Sequence, residues 1–329
     1  MFIGTTAGLL RVFSIADPWV PRLLGDVSLG SRINRLQPQG NRVYAYTQNA
    51  EMVAVDVSDV SRPRVVAARP TGLPSVNGYE VASSHAVLVA ALYRGMKVYS
   101  IAPSDTLVAL YYFPTSDGPD DVIMKGNTAI VSCWTVGLRS LEYSDPAHPK
   151  TKGFLPTVGT QLFLGLSMSG DVIACISSSP NGVALSRFTD SSTFSFLSFI
   201  ALAAAPHSVA LQDSLLLTGV RDSVLIFSIA NPTQPYRLSS WTANNFADTY
   251  VDLRGWHGYI SQSGGTGNGG VKILDISNPR SPVQVSSVLS SALRTLIVDS
   301  LAYVATGNGL AILNVADPTT PFVVGSTPT

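Results

Sequence analysis

The sequence predicts an all-β fold: a β-propeller of four-stranded blades. Three observations predict it. A phrase of Asp or Asn, Pro, two residues and Pro recurs along the whole chain. Each recurrence is preceded by an alternating apolar strand and followed, mid-unit, by a tight two-residue turn. No stretch keeps the 3.6-residue period of an amphipathic helix. The phrase reads Asp17-Pro18-Trp19-Val20-Pro21, Asp145-Pro146-Ala147-His148-Pro149, Asn231-Pro232-Thr233-Gln234-Pro235, Asn278-Pro279-Arg280-Ser281-Pro282 and Asp317-Pro318-Thr319-Thr320-Pro321, with a weaker copy at Asp59-Val60-Ser61-Arg62-Pro63. From Asp59 to Asp145 and from Asp145 to Asn231 the gap is 86 residues, twice 43. Eroded copies at Asp105 and Asp190 fill those two gaps. A period of about 40–45 residues with four strands is the blade period of a propeller.

Each part of the unit has a physical reason. The strand before the anchor alternates, as in Met52-Val53-Ala54-Val55-Asp56-Val57 and Val271-Lys272-Ile273-Leu274-Asp275-Ile276. The anchor's Asp or Asn suits an Asx turn, and its Pro fixes φ at a strand end where no ladder N–H is needed. The mid-unit turns read Gly40-Asn41, Ser84-His85, Gly126-Asn127, Gly170-Asp171, Gln212-Asp213, Gly255-Trp256 and Asp299-Ser300, most of them residues that tolerate positive φ. The strand after each turn is β-branched or aromatic, as in Arg42-Val43-Tyr44-Ala45-Tyr46.

The phrase reads as the hand-over between blades, so the whole of 1–329 forms a single propeller domain. Its repeat units are 18–58, 59–102, 103–144, 145–189, 190–230, 231–277 and 278–316. Residues 1–17 and 317–329 remain at the two ends. Pairing them in one split blade closes the ring and removes exposed edges, which gives eight blades. Seven blades is the alternative.

Composition bounds the function. Lys plus Arg and Asp plus Glu are both 21, so the net charge is zero, and only 13% of residues are charged. No basic stripe points to nucleic acid. No apolar run is long enough to span a bilayer as a helix. Met1 opens directly into strand-like sequence, so no signal peptide is expected. Cys133 and Cys175 sit in apolar strand patterns and read as buried free thiols.

The segments Gly270–Pro282 and Gly309–Pro321 resemble the unit of the LVIVD-repeat proteins, in which a Gly-Leu strand leads into an Ile/Val-Asp-Val-Ser-Asp-Pro segment. The resemblance implies a propeller of bacterial or archaeal cell surfaces, hence an extracellular or cell-surface location, with a cytoplasmic one as the alternative. It transfers no catalytic residues, and the expected catalytic set is empty.

Function is sought where the units differ. Counting five residues back from each mid-unit turn gives Arg35, Tyr79, Asp121, Gly165, His207, Tyr250 and Arg294. Apart from glycine, these are groups that hydrogen-bond or carry charge. A polar ring of Arg35, Tyr79, Asp121, His207, Tyr250 and Arg294 at one mouth of the propeller axis would bind a protein, a carbohydrate or a small polar ligand. Arg35 and Arg294 would flank the split blade and share a carboxylate or phosphate. The chain reads as a non-enzymatic binding scaffold; the alternative is a hydrolase or lyase with an axial site. The four histidines lack metal-ligand spacing, so no metal and no cofactor are expected, although an aspartate cluster on the axis would suit calcium. Gly265–Gly270 matches G-x-G-x-x-G in form but opens a strand rather than a helix, which argues against a dinucleotide site. Trp241, Phe246, Tyr250, Trp256 and Tyr259 concentrate aromatic surface in one stretch.

Overall fold

The computed structural model describes every residue except 18–21, 73–77, 83–85, 92–94, 102–106, 114–117, 146, 158–162, 190–192, 243–248, 264–268, 308 and 329. It describes the backbone alone at 78–82, 86–91, 95, 101, 113 and 327–328. The structure is a propeller with seven four-stranded blades, the alternative count, and one further three-stranded sheet at the N-terminus. That sheet holds β1 (Phe2–Gly4), β2 (Leu9–Ser14) and β3 (Arg22–Ser28). Blade 1 holds β4 (Ile33–Gln39), β5 (Arg42–Thr47), β6 (Glu51–Asp56) and β7 (Arg64–Pro70), and blade 2 holds β8 (Gly78–Ala82), β9 (Ala86–Ala91), β10 (Gly95–Ile101) and β11 (Leu107–Phe113). Blade 3 holds β12 (Pro119–Lys125), β13 (Thr128–Cys133), β14 (Gly137–Glu142) and β15 (Lys150–Pro156), and blade 4 holds β16 (Phe163–Ser169), β17 (Val172–Ser178), β18 (Asn181–Phe188) and β19 (Phe194–Ala201). Blade 5 holds β20 (Pro206–Gln212), β21 (Leu215–Val220), β22 (Ser223–Ser228) and β23 (Tyr236–Thr242). Blade 6 holds β24 (Thr249–Arg254), β25 (His257–Gln262), β26 (Gly270–Asp275) and β27 (Val283–Val288), and blade 7 holds β28 (Arg294–Val298), β29 (Leu301–Thr306), β30 (Gly309–Asn314) and β31 (Phe322–Pro328). Contacts divide the chain into two compact units, one with the N-terminal sheet and blades 1–3, the other with blades 4–7.

Two expectations are corrected. The termini do not share a blade: β31 pairs with β30 and completes blade 7, while β1 pairs with β2. The reason lies in the anchor. It does not hand one blade to the next but turns the third strand of a blade back onto its own fourth strand. Asp59 to Pro63 joins β6 to β7, and those strands pair from Glu51–Pro70 to Asp56–Arg64. Blades are therefore one strand out of phase with the repeat units, and the last anchor commits the C-terminal strand to its own sheet.

The anchor works as an Asx turn. The Asp59 carboxylate accepts from the Ser61 N–H at 3.0 Å, Asn231 Oδ1 from the Thr233 N–H at 3.2 Å, and Asp317 Oδ1 from the Thr319 N–H at 2.9 Å. A backbone bond then closes each turn, as from Arg62 N–H to Asp59 O and from Thr320 N–H to Asp317 O. Three residues earlier a second such turn recurs, with the Ser58 N–H on Asp56, Ser277 on Asp275 and Ala316 on Asn314. The eroded anchors at Asp105 and Asp190 lie outside the described residues.

In every sheet the pairing of the last two strands carries a β-bulge. The last-strand residue just beyond the bulge is Gly25, Ala67, Tyr111, Gly153, Ser198, Ser239, Ser286 or Gly325. Seven of these eight are small, and at Gly25, Ser198, Ser239 and Ser286 the residue meets the anchor turn of the following blade. Ser198 donates to Pro232 O at 2.7 Å, Ser239 to Pro279 O at 2.6 Å and Ser286 to Pro318 O at 2.7 Å.

Second and third strands are buried on both faces, as the burial of Val43 to Thr47 and of Met52 to Asp56 shows. The core is divided accordingly into clusters that each lie between neighbouring blades. Tyr44, Met52 and Ala54 of blade 1 meet Tyr99 and Leu107 of blade 2, and Ile273 and Val271 of blade 6 meet Val304 and Leu313 of blade 7. Cys133 and Cys175 are buried free thiols within these layers, as expected.

Candidate functional site

Within each compact unit the first strand of a blade packs beside the first strand of its neighbour. In the second unit β16, β20, β24 and β28 form such a row. The mid-unit turns hold positive φ at their first residue: 55° at Gly40, 58° at Gly126, 61° at Gly170, 52° at Asp213, 56° at Gly255 and 52° at Asp299. Asp213 shows that the blade 5 turn is Asp213-Ser214, one residue later than the sequence suggests, since Gln212 still pairs with Leu215. The expected turn at Ser84-His85 lies outside the described residues.

That shift matters for the candidate ring. Arg35 pairs with Tyr46, Asp121 with Ser132, Tyr250 with Ser261 and Arg294 with Ala305, each at the same register position. In blade 5 that position belongs to Ser208, opposite Gly219. His207 sits one residue earlier, in a bulge between Pro206 and Ser208, and is exposed. Tyr79 lies in β8 opposite Val89, with its side chain outside the described residues. Arg35 is exposed and directs Nη1 toward Asn34 O at 3.4 Å. Asp121 is half-buried; its Oδ1 accepts from the Val122 N–H at 2.9 Å, and its own N–H donates to Ser132 Oγ at 3.0 Å.

The structure brings two of the six together. The Arg294 guanidinium stands over the Tyr250 ring, 4.1 Å from its centroid, across the seam between blades 6 and 7. The same face of β24 carries Asp252 and Arg254, two and four residues on. Arg254 donates to Ile297 O in blade 7 at 2.9 Å, and burial pushes the Asp252 carboxyl above the usual carboxylate value. Sequence reasoning missed Asp252 and Arg254, although strand alternation from Tyr250 identifies both.

The remaining polar groups at this register stitch blades together. Ser208 Oγ donates to Thr249 O at 2.9 Å and accepts from the Val251 N–H at 3.0 Å, so blade 5 uses the ring position to hold blade 6. Ser261 and Thr295 share a 2.7 Å hydroxyl bond between blades 6 and 7. Gly219 leaves room for this seam, since a Cβ there would lie 2.0 Å from Thr249 O.

The flagged aromatics divide in the same way. Tyr259 is buried and belongs to the core between blades 6 and 7, whereas Trp256 is exposed. Phe246 and Gly265 to Asn268 lie outside the described residues; Gly270 opens strand β26. Trp256 lines a cleft of about 460 Å³ between blades 5 and 6, formed by the mid-unit turns of both blades and the anchor of blade 6. Among the described residues no group of three or more His, Cys, Asp or Glu side chains is placed to hold a metal ion, and no helix is long and apolar enough to cross a membrane.

The family model of the LVIVD repeat matches residues 38–68, 265–290 and 297–329, each match spanning a third strand, its anchor and the fourth strand. No curated protein matches. Among solved structures, Sqt1 of Saccharomyces cerevisiae superposes with a TM-score of 0.76 at 10% identity, over 100% of this chain and 92% of that one. BamB of Moraxella catarrhalis gives 0.71 at 11% identity, over 95% and 90%, and the computationally designed Ika8 protein gives 0.71 at 14%, over 93% and 89%. At such identities these likenesses establish the fold alone. The chain is thus a β-propeller in which three segments match the LVIVD repeat.

Proposed function

We propose that the chain is a non-enzymatic binding scaffold that presents the polar ends of its inner strands to a partner or small polar ligand at the cell surface. The observation that carries this reading is the Arg294–Tyr250 pair. Two neighbouring blades place different side chains at one repeat position, and the pair is not consumed by the backbone. A guanidinium stacked on a ring keeps its in-plane N–H groups for a carboxylate or phosphate. Most other shifted carboxylates are committed to turns: hydrogen bonds from Ser61 lower Asp59, those from His148 and Ala147 lower Asp145, and those from Thr319 and Thr320 lower Asp317. The cell-surface location rests on the character of the repeat. Arg35 and Asp121 of the first unit and His207 of the second are the further candidate contacts in this reading.

The test is a thermal-shift comparison of the wild type with a variant carrying Arg35→Gln, Asp121→Asn, His207→Gln and Arg294→Gln. The probes are inorganic phosphate, citrate and a polyglutamate peptide. At least one probe should raise the melting temperature of the wild type and lose that effect in the variant. If every stabilising probe acts equally on both proteins, or none acts on the wild type, the inner-strand site is wrong.

A further inference from the structure

We infer that the cleft between blades 5 and 6 is a second binding site, one for a neutral oligosaccharide. Trp256 is the departure from the repeat that points to it. Its position is the second residue of the mid-unit turn, held in the other described blades by Asn41, Asn127, Asp171, Ser214 and Ser300. These are short polar residues suited to a solvated turn. Blade 6 alone among them has an indole there, and it is 59% exposed. An aromatic surface left in water gives the fold nothing, since its stabilising value comes from burial.

A second aromatic lines the same cleft. Tyr236 opens the fourth strand of blade 5 and is 52% exposed. The Arg280 guanidinium from the blade 6 anchor lies 5.9 Å from its ring centroid. Asp213 stands at the opposite turn, on the blade 5 side, and is exposed. The walls are fixed relative to each other, because the Gln212 amide bridges the two turns. It accepts from the Gly255 N–H at 3.1 Å and donates to Gly255 O at 3.2 Å. The Asp213 N–H is tied in turn to Ser169 Oγ of blade 4 at 3.0 Å. The site is thus preorganised by backbone on both sides.

The chemistry selects the ligand. Two half-exposed aromatic faces suit the C–H faces of pyranose rings. One guanidinium offers paired donors and one carboxylate offers acceptors, the complement that vicinal hydroxyls need. Their charges are opposite and equal, so the cleft gives no net attraction to an anion or a cation and suits an uncharged polyhydroxylated ligand. A volume of about 460 Å³ lies in the range of small-ligand sites.

The test is calorimetric titration of the full chain with maltohexaose, cellohexaose and chitohexaose, alongside hexagalacturonate and a polyproline peptide. The comparison variant is Trp256→Ser, which installs the residue that blades 5 and 7 already carry and should leave the melting temperature unchanged. At least one neutral sugar should bind the wild type, and the variant should bind it about tenfold or more weakly, a loss of about 1.4 kcal/mol. The inference fails if no neutral sugar binds up to about 10 mM, a limit that corresponds to very weak association. It fails equally if Trp256→Ser binds the sugar as well as the wild type, or if only the uronate or the peptide binds. These outcomes are independent of the inner-strand variant above, which leaves the cleft intact.

Discussion

The two compact units solve the same contact differently. In the second unit, Ser198, Ser239 and Ser286 each donate from a fourth strand to the anchor proline carbonyl of the next blade. In the first unit the corresponding residue of the N-terminal sheet is Gly25. A Cβ on Gly25 would lie 2.7 Å from both Val60 O and Ser61 O, so the turn of blade 1 has moved into the space where a serine would stand. Val60 takes the place of the anchor proline there, in the weakest described copy of the phrase. The repeat favours a small residue at this position, and the choice between glycine and serine decides whether these blades touch through backbone contact or through a hydrogen bond. A repeat protein can hold its blades together by nearest-neighbour terms of different kinds without changing the blade itself.

The comparison can be broken from either side. The largest effect is expected from replacing Ser198, Ser239 and Ser286 together by Ala. Each loses a bond worth about 1 kcal/mol, and the sites are far enough apart to add to about 3 kcal/mol. Urea unfolding followed by circular dichroism should show this; a loss well under 1 kcal/mol would mean the serines serve only as small residues. Next comes the reverse graft. Gly25→Ser should destabilise by about 2 kcal/mol through overpacking against two carbonyls, whereas it should be neutral or stabilising if the two units were built alike.

A third test concerns charge within a blade. In blade 1, Asp56 is only 6% exposed and accepts from Arg42 and Arg64 at 2.7 Å each. Hydrogen bonds from the Ser58 N–H and hydroxyl, and then the two arginines, hold its carboxyl down to about 2. Because the folded value lies below the ordinary one, this stabilisation is complete above about 4 and fades as the pH falls toward 2. Asp56→Asn should cost about 1.5 kcal/mol at neutral pH, with the gap to wild type closing across that acid window. The blade 6 counterpart, Asp275, faces His257 and Val283 instead of two arginines. Asp275→Asn should therefore be the smallest effect of the series, measured by the same unfolding curves.

Much of this architecture is legible in the sequence, because a blade writes its turns in residues with few substitutes. Asp317, Pro318 and Gly40 announce an Asx turn, a strand end and a positive φ by their own chemistry. The phase of the blades is not legible in that way. Whether Asp59 to Pro63 ends a blade or turns within one depends on which strand β7 pairs with, and its sequence Arg64-Val65-Val66-Ala67 fits either partner. The same ambiguity hid the true ring position of blade 5. Asp213 takes the positive φ that glycine supplies in four of the described turns, and without a glycine the one-residue offset from His207 to Ser208 leaves no local sign. The Arg294–Tyr250 stack joins residues 44 positions apart, so only the packing of adjacent blades reveals it.

The bulge in the last strand pair of every sheet has a consequence beyond geometry. The fourth strand of each blade is the sheet's open edge, with a row of unpaired backbone groups. The chain is electrically neutral overall and sparsely charged, so repulsion between molecules gives those edges little protection. A bulge twists and bends the edge away from the flat form that another strand could extend. The same irregularity that seats a serine against the next anchor thus also keeps the molecule's rim from templating its own aggregation.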